Sequence, residues 1–231
     1  MSPATASQQD TLVHSYLFLR RAIGLVGMAL PVVLIIGKLL ADGGGLLSSI
    51  SGYYYSDMRD VYVGSMCAIG VFLLSYRGYG PTDDVAGNIA AVAAIGAALF
   101  PTTPYDHPTR TDQFIGAMHI VFAVVFFLTL AFFCLILFTK TDRAHLTQRK
   151  VQRNRVYLAS GGIILSCLAL IVFFGSFLDA ETRSLHPALW LESAATLAFS
   201  VAWLTKGDAI LRDLSPAPEQ TSPPATSPTQ A

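Results

Sequence analysis

Six long apolar runs constrain this chain more than any other feature of its sequence. They are residues 22–41, 58–76, 85–100, 114–138, 156–178 and 187–205. A hydrocarbon core of about 30 Å requires roughly 20 helical residues, and five of the runs have that length. The third run is shorter, but Asp83 and Asp84 precede it and a proline-rich segment follows it, so its limits are sharp. Because lipid offers the backbone no hydrogen-bond partner, such runs must be helical. The sequence therefore predicts an all-α fold, a polytopic membrane protein built as a six-transmembrane-helix bundle.

The low charge density agrees with a surface covered by lipid. Only 13% of the residues are charged, whereas a soluble domain carries about 25%. The 15 basic and 15 acidic residues balance, which gives no argument for nucleic acid as a partner. We expect membrane lipid as a partner, and the sequence leaves open a homo-oligomer or a membrane-protein partner.

The two ends of the chain differ in composition from the apolar region. Residues 1–13 are small and polar, and the segment from Ser215 to Ala231 holds five of the twelve prolines. Segments of this kind bury too little apolar surface to offset their ordering entropy. We therefore predict a disordered cytoplasmic N-terminus (1–13), a six-helix transmembrane domain (14–212) and a disordered, proline-rich cytoplasmic tail (213–231).

The distribution of Lys and Arg predicts the orientation. Eleven of the 15 basic residues fall on the side that carries both termini, and four fall on the other side. The segment 139–155 alone supplies six of the eleven. Cytoplasmic segments carry the excess of Lys and Arg in membrane proteins. The sequence thus predicts a multi-pass protein of the bacterial cytoplasmic membrane with both termini in the cytoplasm.

Ionisable residues are rare inside the apolar runs, and those present gather toward the opposite, outer side. A charge in the bilayer is costly, so such residues are functional candidates. His119 lies five residues into the fourth run, and Glu192 lies at a similar position in the sixth, with Thr196 one helical turn further on. The predicted ligand-binding residues of an outward-facing polar pocket are Asp57, Arg59, Asp60, His119, Glu192 and Thr196.

Three interpretations of this cluster remain open at the sequence level. Glu192 pairs with Arg59 or His119 and only joins helices, or the cluster binds a ligand or a proton, or it holds a catalytic metal. No HExxH or HxxxH motif places two ligands on one helix. The three cysteines lie in apolar runs without metal or redox spacing. We therefore predict no catalytic residue, no metal and no cofactor. The predicted function is binding of a lipid, small ligand or partner, with a metal-dependent lipid hydrolase or a small oligomeric transporter as alternatives.

Two further features concern the outer side. Residues 42–57 combine glycines and serines with three consecutive tyrosines, Tyr53, Tyr54 and Tyr55. Tyrosine favours the headgroup layer, so we expect a short interfacial helix or re-entrant turn that anchors there or covers the pocket. On the second run Gly64 shares a face with Asp57 and Asp60, and we expect a neighbouring helix to approach closely at this glycine.

Three segments carry a resemblance to a known group. They are SISGYYYSDMRDVYVGSMCAIGVFLLSYRGY (49–79), IAAVAAIGAALFPTTP (89–104) and WLESAATLAFSVAWLTKG (190–207). These segments resemble a bacterial group of six-span integral membrane proteins of unknown function, which implies a six-helix bundle and no activity. The chain is more distantly similar to the ceramidase and adiponectin-receptor superfamily of intramembrane metallohydrolases. That superfamily has seven spans and an HxxxH pair on its last helix, and this sequence has neither.

Overall fold

Six long helices make up most of the part of the chain that the structure describes. The computed structural model describes residues 3–41, 43–78, 80–140, 147–177 and 183–207. The helices are α1 (Pro3–Ala41), α2 (Arg59–Ser75), α3 (Pro81–Leu99), α4 (Arg110–Phe132), α5 (Gln148–Phe177) and α6 (Pro187–Lys206). A π-helical turn, Phe133–Leu137, continues α4, and short 3₁₀ helices span Ser51–Tyr55 and Arg183–Leu185. These ranges contain no strand, which confirms the all-α prediction for them.

Each helix coincides with one predicted apolar run, and the main difference lies at the N-terminus. α1 begins at Pro3, inside the segment 1–13 that was predicted to be disordered. A helix that already exists extends at little cost, because nucleation is the unfavourable step. The residues before Leu17 therefore continue a helix that the apolar part nucleates. The predicted tail, 213–231, lies outside the described residues.

Five of the helices are long and apolar enough to cross a membrane. They are Leu17–Ala41 within α1, α3, α4 with its π turn, α5 and α6. α2 has 17 residues and is the shortest of the six. The membrane character predicted from the sequence is confirmed at this level, and the crossing of the bilayer by α2 stays a prediction.

The six helices form a closed ring. Each helix packs against the helices before and after it in the chain, and α6 packs against α1. Glycines allow the closing contact, since a Cβ at Gly24 would lie 2.6 Å from Cγ of Leu204. A Cβ at Gly27 would likewise lie 2.6 Å from Oγ of Ser200. Ser200 lies one helical turn beyond Thr196 and two beyond Glu192, so the polar face that these residues form is turned toward α1 at Ser200 and away from lipid.

Small side chains determine the position of α3. This helix packs between α2 and α4, and more of it is buried than of the other four candidate spans. Its buried residues are mostly alanine and glycine. Small residues let helix backbones approach closely, and packing then replaces the hydrophobic driving force that is absent in lipid.

The two ends of the bundle differ in chemistry. One end, here called the tyrosine end, carries residues 43–58, 100–109 and 183–186, and a bond from the Tyr55 hydroxyl to the Thr102 carbonyl (2.6 Å) joins two of these segments. At the other end, the basic end, buried Arg20 donates to the Lys206 carbonyl (3.5 Å) and to the Tyr76 hydroxyl (3.4 Å). Consecutive helices therefore run in opposite directions.

Candidate functional site

Glu192 holds a turn of the tyrosine end. It lies in the second turn of α6, and its Oε2 accepts hydrogen bonds from the backbone N–H of Ile50 (2.7 Å) and of Ser51 (3.4 Å). These residues precede and begin the first 3₁₀ helix. The sequence suggested Arg59 or His119 as the partner of Glu192, and the structure instead supplies two backbone donors. Hydrogen bonds to an ionised acceptor are shorter and stronger than neutral ones.

His119 is bound to the end of α3. A capping box starts α4, in which the hydroxyl of Thr109 and the carboxylate of Asp112 accept each other's backbone N–H. His119 follows on the buried face, and its Nδ1 lies 3.0 Å from the Ala97 carbonyl and 2.8 Å from the Phe100 carbonyl. Because both partners are acceptors, Nδ1 carries the proton. Nε2 is then left as an acceptor, and the ring joins α4 to α3.

Glu192, His119 and Thr196 line one interior cavity of about 50 Å³. The other lining residues are mostly apolar and come from α1, α2, α3 and α4 as well as α6. Among them are the hydroxyl-bearing residues Tyr62 and Ser51. A volume of this size holds about three water molecules, so the cavity suits water, a proton or a small ion better than a lipid. Three of the six predicted site residues thus share one cavity.

The other three predicted residues lie elsewhere. Asp57, Arg59 and Asp60 are exposed and do not line the interior cavity. The guanidinium of Arg59 lies 4.4 Å from the centre of the Tyr54 ring and donates to the Tyr54 hydroxyl at 2.7 Å. Asp57 lies just before α2, and Asp60 lies in its first turn. Neither belongs to the buried face of this helix, which begins at Tyr62.

The three consecutive tyrosines have different environments. Tyr53 is fully buried, and burial raises the pKa of its hydroxyl above the ordinary value. Tyr54 is half-buried beneath Arg59, and Tyr55 is half exposed. The segment was expected to anchor in the headgroup layer or to cover the pocket, and the full burial of Tyr53 does not fit a headgroup anchor. In a 3₁₀ helix successive side chains point about 120° apart, so only some of three neighbours can face outward.

A second, larger pocket lies at the tyrosine end. It has a volume of about 500 Å³. Its lining comes from the turn at residues 47–52, from residues 102–106, from the end of α5 and from the start of α6. The Tyr105 hydroxyl donates to Oγ of Ser48, which joins the first two of these segments. The Ser48 carbonyl in turn accepts from the N–H of Leu189 (2.9 Å), which satisfies a free donor in the first turn of α6.

His186, a loop histidine beside a proline, was not among the predicted site residues. It lines the pocket and precedes α6 in a left-handed conformation, with φ of 50°. Its Nδ1 is buried and has no hydrogen-bond partner among the described residues. A residue other than glycine at positive φ is uncommon and marks a position that its surroundings determine. The sequence carries no signal for this conformation, because the following Pro187 favours extended backbone at residue 186.

The described residues offer no ready metal centre. No three His, Cys, Asp or Glu side chains within them are placed to hold a metal ion. The cysteines are free, and Cys134 and Cys167 are buried.

Comparison with protein-family models, with curated proteins and with solved structures finds no match to this chain. The site must therefore be interpreted from its own geometry.

Proposed function

We propose that the protein binds the polar end of a membrane amphiphile in the pocket at the tyrosine end. In this proposal all six helices cross the bacterial cytoplasmic membrane and both termini are cytoplasmic. Most basic side chains that the structure describes lie at the basic end, at residue 140, in residues 149–155, at positions 20 and 21 of α1 and at the end of α6. An excess of Lys and Arg is typical of the cytoplasmic side, so the pocket faces the outer leaflet.

The two-sided lining of the pocket is the observation that carries the proposal. The loop residues that line the pocket include Ser48, Thr102 and Asp106, which carry hydroxyl and carboxylate side chains. The side toward α5 contributes Ile171 and Phe174. The volume of about 500 Å³ lies within the usual range for small-molecule sites. A lining that is polar on the loop side and apolar on the α5 side matches a molecule that has a headgroup and an acyl chain.

The position of α5 supports entry from the membrane. Val172, Phe173 and Phe177 are exposed on the last turns of this helix, next to the residues that line the pocket. Exposed apolar side chains on a spanning helix face lipid tails. A chain that leaves the pocket along α5 therefore continues into the hydrocarbon region.

The charges favour an amine as the headgroup. Asp106 is the one acidic residue among the described lining residues, and none of these is Lys or Arg. Tyr55 and Tyr105 add aromatic rings at the rim. Ammonium groups bind carboxylates and the faces of aromatic rings. A headgroup of net negative charge finds no Lys or Arg among the described lining residues, so we expect a zwitterionic, ammonium-bearing lipid such as a phosphatidylethanolamine.

A bulky side chain placed in the pocket tests the proposal. No described atom lies within 4 Å of a Cβ built at Gly175, which lines the pocket, or at Gly162, which lies on the same helix outside it. Gly175→Phe should fill the pocket without disturbing the core. We expect it to weaken binding of a short-chain phosphatidylethanolamine by at least about tenfold, a loss of about 1.4 kcal/mol.

Gly162→Phe is the matched control and should bind the lipid as the wild type does. The lipid is titrated into the purified protein in detergent, and native mass spectrometry detects the fraction of protein that has lipid bound. Equal affinities in the two variants would place the lipid elsewhere. A short-chain phosphatidylglycerol, which lacks the ammonium, should bind more weakly. Equal binding of the two lipids would contradict the amine preference, and no binding of either would contradict the proposed function.

A further inference from the structure

One turn separates the two cavities. The residues of the turn at 47–52 divide between them, with Leu47, Ser48, Ser49 and Gly52 on the tyrosine-end pocket and Ile50 and Ser51 on the interior cavity. The same turn therefore forms part of the wall of each cavity, through different residues. A movement of the turn toward one cavity changes the shape of the other.

α6 holds this wall by three hydrogen bonds. Two run to the carboxylate of Glu192 from the N–H groups of Ile50 and Ser51. The third runs from the N–H of Leu189 to the Ser48 carbonyl. The first two depend on one titratable side chain inside the bundle, whereas the third involves backbone groups alone. The charge of Glu192 thus determines how firmly the middle of the turn is held.

We propose that Glu192 is the positioning residue of the tyrosine-end pocket, so that affinity for the amphiphile depends on the charge of this carboxylate in the interior cavity. The inference rests on the proposed function and adds that a residue inside the bundle controls the affinity for the lipid. Ionised Glu192 holds the turn in the form that shapes the pocket. A proton on the carboxylate removes the charge that strengthens both bonds, and the turn then loosens.

The sign of the pH dependence follows from this coupling. Binding weakens as the pH falls through the titration of Glu192, and by linkage a bound ligand favours the ionised carboxylate. The groups around the interior cavity that also titrate are His119 on α4 and Tyr62 on α2. The lining residues from α1 and α3, which include Gly27 and Ala97, are not ionisable. The effect of Glu192 must therefore be separated from those of two histidines, His119 in the interior cavity and His186 in the tyrosine-end pocket itself.

Glu192→Gln provides the test, because it keeps the size of the side chain and removes its charge. The dissociation constant for short-chain phosphatidylethanolamine is measured from about pH 5 to pH 8. We expect the wild type to lose affinity as the pH falls, and the Gln variant to bind about tenfold more weakly at neutral pH with a flat profile. Glu192→Asp, which keeps the charge, should restore part of the affinity and the pH dependence. His119→Gln should keep the wild-type profile.

Hydrogen exchange of peptides that cover residues 47–52 gives a second readout that needs no ligand. Exchange should rise in Glu192→Gln and, after correction for the intrinsic rate, rise in the wild type as the pH falls. Lipid binding and exchange unchanged by Glu192→Gln would overturn this inference and leave the proposed function intact. No lipid binding by the wild type, together with faster exchange in the variant, would remove the proposed function and leave Glu192 as the residue that positions the turn.

Discussion

Replacing Gly116 with alanine perturbs the contact between α4 and the segment that follows α3. A Cβ built at Gly116 would lie 2.0 Å from Oγ1, 2.8 Å from the backbone N and 3.0 Å from Cβ of Thr103. The Thr103 hydroxyl can rotate away, but its backbone nitrogen cannot. The segment must therefore shift by roughly half an ångström or more. Because Thr103 lines the tyrosine-end pocket, the shift reaches the proposed binding site.

The expected cost follows from two opposing effects. Overpacking a buried contact destabilises a protein by about 1–3 kcal/mol, and replacing glycine by alanine inside a helix returns up to about 1 kcal/mol. His119, one turn further along α4, bonds the Phe100 carbonyl at 2.8 Å, and this bond lengthens when the segment moves. Because Thr103 is exposed and can partly give way, we expect a net loss of about 1 kcal/mol, which lowers the melting temperature by about 2–4 °C for a chain of this length.

Gly64→Ala is the matched control, since Gly64 is also helical and no described atom lies within 4 Å of a Cβ built there. It should leave the melting temperature unchanged or raise it slightly. The assay is thermal unfolding in detergent in a Trp190→Phe background, where the fluorescence comes from Trp203, which is buried among Phe133, Phe138 and Phe199. Equal melting temperatures for the two variants would refute the argued contact between Gly116 and Thr103.

Two other predictions concern orientation and metal. In a cysteine-free background, Thr111→Cys at the tyrosine end should react with an impermeant thiol reagent in intact cells, and Gln148→Cys at the basic end should not. The reverse labelling would invert the proposed orientation. A chelator at neutral pH should leave the melting temperature unchanged, since no three suitable ligands meet within the described residues. A drop that zinc reverses in the wild type, but not in His119→Ala, would instead favour the hydrolase interpretation.

The helices of this protein could be predicted from its sequence because lipid imposes a strong and simple condition. A span must be long, apolar and helical, and this condition acts on each segment separately. The six apolar runs therefore coincide with the six helices, to within a few residues at most ends. The buried face of α3 is likewise visible as a series of small residues, because close packing in lipid favours them.

The sequence also singled out Glu192, His119 and Thr196, since polar residues in apolar runs are rare and must avoid lipid. Their partners could not be read from it. Glu192 binds the N–H of Ile50, which lies 142 positions away in the chain. Every residue except proline offers such a donor, so no side-chain pattern marks the one that is used.

Tertiary packing decided where neighbouring helices approach each other closely. Gly64 and Gly70 lie on the same helix, yet a Cβ at Gly64 meets no described atom, whereas one at Gly70 would lie 2.6 Å from Cγ1 of Ile95. The expectation of a close approach at Gly64 was therefore wrong, and the contact occurs at Gly70. A glycine permits a close approach but does not bring a neighbour. The rotation of each helix within the ring decides which glycine is used, and this rotation depends on all six helices together.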